Sequence, residues 1–212
     1  MSVFYVFTVI NSGNSCYEIS FSYLRVMEKR KIVVRPAVAG DASFIGLVVL
    51  MALHYDETHP MCDIFKDLAG REYSQYSYRN ALVAEVDGVL AGAVVGYDGA
   101  NLHGLREPLL ELVEQRMGKV LDIEDETSAG EFYVDSLAVL PAFRGCGVGS
   151  TLLAEIRDRA FADGFTKVGL LVDVENPRAE SVYRVLGFER VNPTTFLGHA
   201  MWHMQATNGI DG

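Results

Sequence analysis

The residues best suited to chemistry are Arg144-Gly145-Cys146-Gly147-Val148-Gly149-Ser150, which lie between a stretch that reads as a buried strand and one that reads as a helix. Glycines at alternate positions leave the first N–H groups of that helix uncovered by side chains. The helix dipole adds positive potential at the same point. Such a turn binds phosphate or diphosphate, and Arg144 sets a formal charge beside it. A P-loop would end in Gly-Lys-Ser/Thr, and no Lys stands here. The dinucleotide fingerprint would place a third glycine at position 150, which is Ser, and would sit in an early βαβ unit. Both of those readings fail on the residues present.

Leu137-x-Val139-x-Pro141-x-x-Arg144-Gly145-x-Gly147-x-Gly149 resembles the acetyl-CoA signature of the GNAT superfamily of N-acetyltransferases. Downstream, Asn176-x-x-Ala179-x-x-x-Tyr183-x-x-x-Gly187-Phe188 is similar to the second motif of that superfamily, at the usual distance. Two motifs in the right order are more specific than a lone glycine turn. The likeness runs from about Ile32 to Gln205. It implies a single α/β domain, with a mixed, mostly antiparallel sheet of about six to seven strands flanked by helices. It also implies acetyl-CoA as donor and an amine acceptor, on a small molecule or a protein, that attacks directly. The expected organisation is an N-terminal extension over 1–31, an N-acetyltransferase domain over 32–206 and a tail over 207–212. Two alternatives stay open: a non-catalytic CoA-binding regulatory domain, and an acyltransferase using a longer acyl-CoA.

The resemblance also carries roles. Leu137, Ala138 and Val139 would offer backbone groups to the pantetheine arm, and an N–H at Leu137 or Val139 would polarise the thioester carbonyl. The turn formed by Arg144, Gly145, Cys146, Gly147, Val148, Gly149 and Ser150 would hold the diphosphate, with no thiol chemistry at Cys146. Asn176 would contact the pantetheine, although a helix cap explains an Asn there equally well. Tyr183, about two helical turns further on, would be the general acid for the departing thiolate. The alternative for Tyr183 is a ring packed in the core.

A base is also required, because freeing an alkylammonium of its proton at pH 7 costs about 4.6 kcal/mol. Glu131 and Asp135 fall on one parity of the strand that leads to Leu137 and Val139. Asp135 interrupts a two-sided apolar run, and a charge there needs a reason: a base and a structural ion pair serve equally. Glu131, at the strand start, reads as a second candidate or as solvated. His54 and His59 flank acidic residues, yet no cysteine or third histidine stands in register, so no metal is expected. They read instead as candidates for the acceptor pocket. His199 and His203 share a parity and read as surface or interface residues, compatible with a homodimer. The run from Asp122 to Glu126 reads as an exposed acidic insertion whose charge would favour a cationic amine.

The elements that must position these groups are legible from periodicity. Ile32–Val34 reads as a strand stopped by Pro36, and Asp41 as the N-cap of a helix over Phe44–Leu53. A loop with a short helix follows over 54–79. Ala81–Val86 and Val89–Tyr97 read as a hairpin around Asp87-Gly88. Leu105–Met117 has a helical period, with Pro108 in its first turn. Phe132–Leu140 and Lys167–Val174 read as strands buried on both faces, and Val148–Ala160 as an amphipathic helix. Asn176-Pro177 opens a further helix, and Phe188–Val191 and Phe196–Met204 close the domain as strands.

With 212 residues, half of them hydrophobic, the chain fits one domain with extensions. Its net charge of −10 argues against a nucleic-acid partner and makes a local cationic device necessary for holding a polyanion. Cys16, Cys62 and Cys146 form neither a disulfide framework nor a zinc site, which points to a reducing, cytoplasmic setting. No apolar run is long enough to cross a membrane. Val3–Ile10 lacks the basic lead-in of a signal peptide and reads as an extra strand or a tail, or else translation starts at Met27.

Overall fold

In a computed structural model, residues 31–209 are described. The expectations for Val3–Ile10 and Met27 lie outside them. The β-branched run Ile32–Pro36 is β1, followed by helices α1 (Ala42–Ala52) and α2 (Cys62–Gly70). Strands β2 (Ala81–Val86) and β3 (Val89–Asp98) meet at Asp87-Gly88, whose φ values of 52° and 81° are those of a type I′ hairpin. Then come α3 (Leu102–Met117), β4 (Phe132–Val139), α4 (Val148–Ala162), β5 (Lys167–Asp173), α5 (Pro177–Val185), β6 (Glu189–Phe196) and β7 (His199–Thr207). The seven strands form one sheet in the order β1-β2-β3-β4-β5-β7-β6. Every neighbouring pair is antiparallel except β4–β5. Helices α1, α2 and α3 pack on one face and α4 and α5 on the other, each over its own apolar cluster.

Two irregularities in this sheet make the site. The parallel pair β4–β5 is joined only through Phe132–Val168 and Tyr133–Gly169, after which the strands diverge. Along β4, Val95 faces Ser136 and Gly96 faces Val134, so Asp135 is the extra residue of a bulge. A bulge shifts the side-chain alternation by one. Leu137 and Val139 therefore face α4, whereas Tyr133 and Asp135 line a cavity with residues of α3. Asp135 thus does not share a face with Leu137 and Val139, as a regular strand would have required.

Several other local expectations are corrected. Asp41 stands at the N-cap of α1 but makes no capping bond. Its carboxylate instead accepts from the Val38 N–H at 2.9 Å and from the Arg35 guanidinium at 2.7 and 3.1 Å. That guanidinium holds Asp41 below the usual carboxylate range. Pro108 lies inside α3, which starts three residues earlier than its period suggests. The strand expected to end at Val191 continues as β6 to Phe196, through Pro193, which an edge strand permits because one row of its N–H groups needs no partner. Among the described residues no helix is long and apolar enough to cross a membrane.

Glu131 is not solvated. It is 4% exposed, and it accepts from Thr127 Oγ1 at 2.7 Å and Gln205 Nε2 at 2.6 Å, with His203 Nε2 at 3.0 Å. His203 is correspondingly half-buried and paired, not a surface group. Burial raises the Glu131 proton affinity, but the bonds from His203, Thr127 and Gln205 outweigh it and hold the carboxyl below its ordinary value. The carboxylate reaches β7 by crossing the backbone of β5 at Gly169, where a methyl group would stand 2.5 Å from Glu131 Cδ. Gly169→Ala is therefore expected to displace a buried charge from its donors and to cost about 2–4 kcal/mol. Urea denaturation of the purified variant checks this; a loss under about 0.5 kcal/mol, the range of neutral surface changes, would show that the carboxylate shifts without penalty.

Candidate active site

The turn from Arg144 to Ser150 forms a cup at the N-terminus of α4. Gly147 is the N-cap, in the left-handed region at φ 87°, with no side-chain cap. Gly145 is also left-handed, at φ 75°, and a Cβ added at either glycine would meet no heavy atom within 4 Å. The first intrahelical bond runs from the Thr151 N–H to the Gly147 carbonyl at 3.0 Å. The N–H groups of Val148, Gly149 and Ser150 precede it and are left to the cup, as at any uncapped helix start. A cavity of about 230 Å³ lies over them, lined by Val139, Phe143, Arg144 and, from α5, Val182. A diphosphate fits this arrangement, because the donors are fixed, the glycines leave it room and the dipole favours negative charge. Arg144 also ties the cup to the sheet, its Nε donating to the Val139 carbonyl at 3.0 Å.

The open edge of β4 continues from the cup. The Leu140 N–H donates to Ala91 on β3 at 2.8 Å. Alternation along an antiparallel strand then turns the N–H groups of Leu137 and Val139 away from β3, toward the gap beside β5. Ala138 turns its own polar groups to Ala93 on β3, so of the three expected backbone contacts only its neighbours present donors to the gap. Across the gap, Asn176 caps α5, its Oδ1 accepting from the Ala179 N–H at 3.0 Å. Tyr183 is on the buried face of α5, 1% exposed, its ring 6.3 Å from that of Phe188. Burial pushes its phenol far above the ordinary value, so it is held protonated.

On the other face of the sheet, Asp135 meets partners that sequence reasoning did not include. Asp135 Oδ2 accepts from Gln75 Nε2 at 2.8 Å and lies 3.0 Å from Tyr97 Oη, while Oδ1 accepts from Ser136 Oγ at 2.7 Å. Glu126 Oε1 is 3.0 Å from the same two donors, and Arg106 binds Glu126 Oε2. Burial, then the neighbouring Asp135 charge, pushes Glu126 up to about 7, with Arg106 opposing. Burial likewise raises Asp135. These groups border a narrow cavity of about 30 Å³, walled by Leu109, Leu171 and Phe196 among others.

The segment from residue 50 to 188 matches the family model described as acetyltransferase (GNAT) family. The chain belongs to that family. A crystal structure described as that of an acetyltransferase shares 34% identity with this GNAT domain at a TM-score of 0.71, covering 82% of this chain and 98% of the other. The fold also matches yncA, a putative acetyltransferase from Salmonella typhimurium solved with its cofactor acetyl-CoA. That likeness is 19% identical at a TM-score of 0.57 over 84% of this chain and 94% of that one. The uncharacterized protein ML0378 of Mycobacterium leprae (strain TN) is 44% identical over 61 residues, which are 29% of this chain and 16% of the relative.

Within this GNAT domain the expected residues divide into groups. The cup, the Leu137–Val139 edge and the α5 residues surround the gap between β4 and β5. Asp135 lines the cavity on the opposite face of the sheet, and Glu131 sits at the closed end, with its oxygens engaged. Among the described residues, no group of three or more His, Cys, Asp or Glu side chains converges as a metal site would. His59 stacks on Tyr55 at 3.7 Å, and neither it nor His54 borders the cavity beside Asp135. The acidic insertion is not simply an exposed face: Glu126 is 7% exposed. Arg106 takes Asp125 as well as Glu126, and Glu124 accepts from the Leu197 N–H at 2.6 Å. Much of the charge expected to attract a cationic amine is thus bound within the protein. The residues missed were Gln75, Tyr97, Arg106 and Glu126. An Arg at a buried position of the α3 period was the one available signal, since such an Arg requires a carboxylate nearby.

Proposed function

We propose that the chain is an N-acetyltransferase that moves the acetyl group of acetyl-CoA to an amine by direct attack. The observation that carries this reading is the continuity of an uncapped helix N-terminus with an open strand edge. Diphosphate donors and amide donors for an extended arm then lie along one path, in a chain of the GNAT family. Bound acetyl-CoA supplies an activated acyl group as its thioester. The amides of Val148, Gly149 and Ser150 hold the diphosphate. The N–H groups of Leu137 and Val139 align the arm and donate to the carbonyl oxygen where negative charge gathers. Asp135, on the opposite side of the gap, takes the proton of the acceptor's ammonium. Tyr183, kept protonated by burial, supplies a proton to the departing sulfur. Glu131 acts as a clamp between β4 and β7 rather than as a base, because it borders neither the cup nor the cavity beside Asp135, and Gln205 and His203 tie it to β7.

A panel of primary amines, amino acids and peptide N-termini mixed with acetyl-CoA, scored by free-thiol release, tests the reading. Thiol release that depends on one class of amine is the expected result. Tight CoA binding without turnover of any amine would leave a binding domain instead. Preference for a longer acyl donor in competition would change the donor.

A further inference from the structure

We propose that Glu126, carried by the stretch between α3 and β4, is a positioning residue that shares one proton with Asp135 and governs the readiness of Asp135 to take the acceptor's proton. This rests on the reading of Asp135 as the base and adds a residue from outside the two motifs.

The hydrogen count in this cluster points to the shared proton. Gln75 Nε2 contacts Tyr97 Oη at 3.0 Å, Glu126 Oε1 at 3.0 Å and Asp135 Oδ2 at 2.8 Å, and Tyr97 Oη contacts each carboxylate oxygen at 3.0 Å. An amide NH₂ and a phenol have three hydrogens between them, fewer than these contacts need. One more hydrogen, on either carboxyl group, supplies a donor the network otherwise lacks. Charge gives the same answer. Two carboxylates face a single guanidinium, Arg106, which also holds Asp125. The other titratable groups around the pair are Tyr76 before β2, Tyr97 of β3 and Tyr133 of β4, all buried and neutral. Two anions on the same donors in such surroundings raise each other's proton affinity, and Glu126 is pushed up to about 7.

The arrangement also suits an incoming ammonium. Gln75 Oε1 is buried beside the same cavity, without a hydrogen-bond partner among the described residues. It can accept from one N–H while a carboxylate takes another. In the transfer, an N–H bond of the ammonium breaks and its electron pair stays on nitrogen for the attack. The proton bonds to a carboxylate oxygen of the pair. Asp135 must be ionised to accept it, so activity rises with pH through the titration of the pair.

Carboxyl ¹³C NMR titration of the full-length protein, labelled at Asp and Glu and assigned with Asp135→Asn, tests the inference without a known acceptor. In the wild type, the Asp135 carboxyl is expected to titrate above the ordinary aspartate range. Glu126→Gln removes the neighbouring charge and should lower the Asp135 midpoint by one pH unit or more, whereas Glu126→Asp should keep it near the wild-type value. An Asp135 midpoint at or below the ordinary aspartate value in the wild type overturns the proposal whether or not any variant folds. So does an unmoved midpoint in a Glu126→Gln protein that still binds CoA. With an acceptor in hand, the rising limb of kcat against pH should move down by the same amount in Glu126→Gln. Full thiol release by Asp135→Asn would remove the base reading itself, a separate outcome from failure of the proton sharing.

Discussion

Gly147→Val should abolish CoA binding while leaving the protein folded. Gly147 is the N-cap of α4 at φ 87°, a conformation that a β-branched residue resists at a cost of about 1–3 kcal/mol. A Cβ there meets no protein atom, so its cost falls on the cup rather than on the core. If the turn keeps its shape, an isopropyl group crowds the diphosphate position. If it relaxes, the amides of Val148, Gly149 and Ser150 lose their common direction. Either way Kd for CoA, measured by calorimetry, should rise at least about 100-fold, equivalent to about 2.7 kcal/mol. The strained φ should lower the melting temperature by about 2–4 °C for each kcal/mol, with the protein still folded. A Kd within threefold of wild type would mean that the diphosphate sits elsewhere. Gly147→Ala, with the same strained φ and less bulk, should be intermediate.

Tyr183→Phe should separate binding from chemistry. The ring packs against Phe188 within the cluster under α4 and α5, and Phe keeps that packing. CoA affinity should stay within about threefold, while kcat falls about 100-fold, the lower end of what a positioned acid contributes. Because burial pushes the phenol far up, the acid form persists across the working range. The sign follows: no loss of wild-type activity below about pH 9 is due to deprotonation of Tyr183. An unchanged kcat in Tyr183→Phe would make this tyrosine a core residue alone.

Most of the fold and the donor half of the site were legible in the sequence, for local reasons. Glycines at 145, 147 and 149 ahead of an amphipathic period define a helix start without side chains, and Asn176-Pro177 defines a capped one; neither depends on distant contacts. The cluster around Asp135 was not legible, because it is assembled from distant pieces. Gln75 comes from a loop, Tyr97 from the end of a hairpin, Arg106 from a helix and Glu126 from a stretch that reads as solvated. No period or spacing links them. The Asp135 bulge was invisible for a related reason: it exists only in the register against Val95 and Gly96.

The one-residue bulge at Asp135 has a consequence for the order of events. The diphosphate cup opens beside α4 and α5, and the carboxylate pair lies on the side of α3. If the proposed function holds, donor and acceptor approach the gap from opposite faces of the sheet, through separate cavities. Nothing in this layout obliges one product to depart before the second reactant arrives, as a double-displacement scheme would. In that reading both are resident together, with the amine in contact with the thioester carbon as direct attack requires.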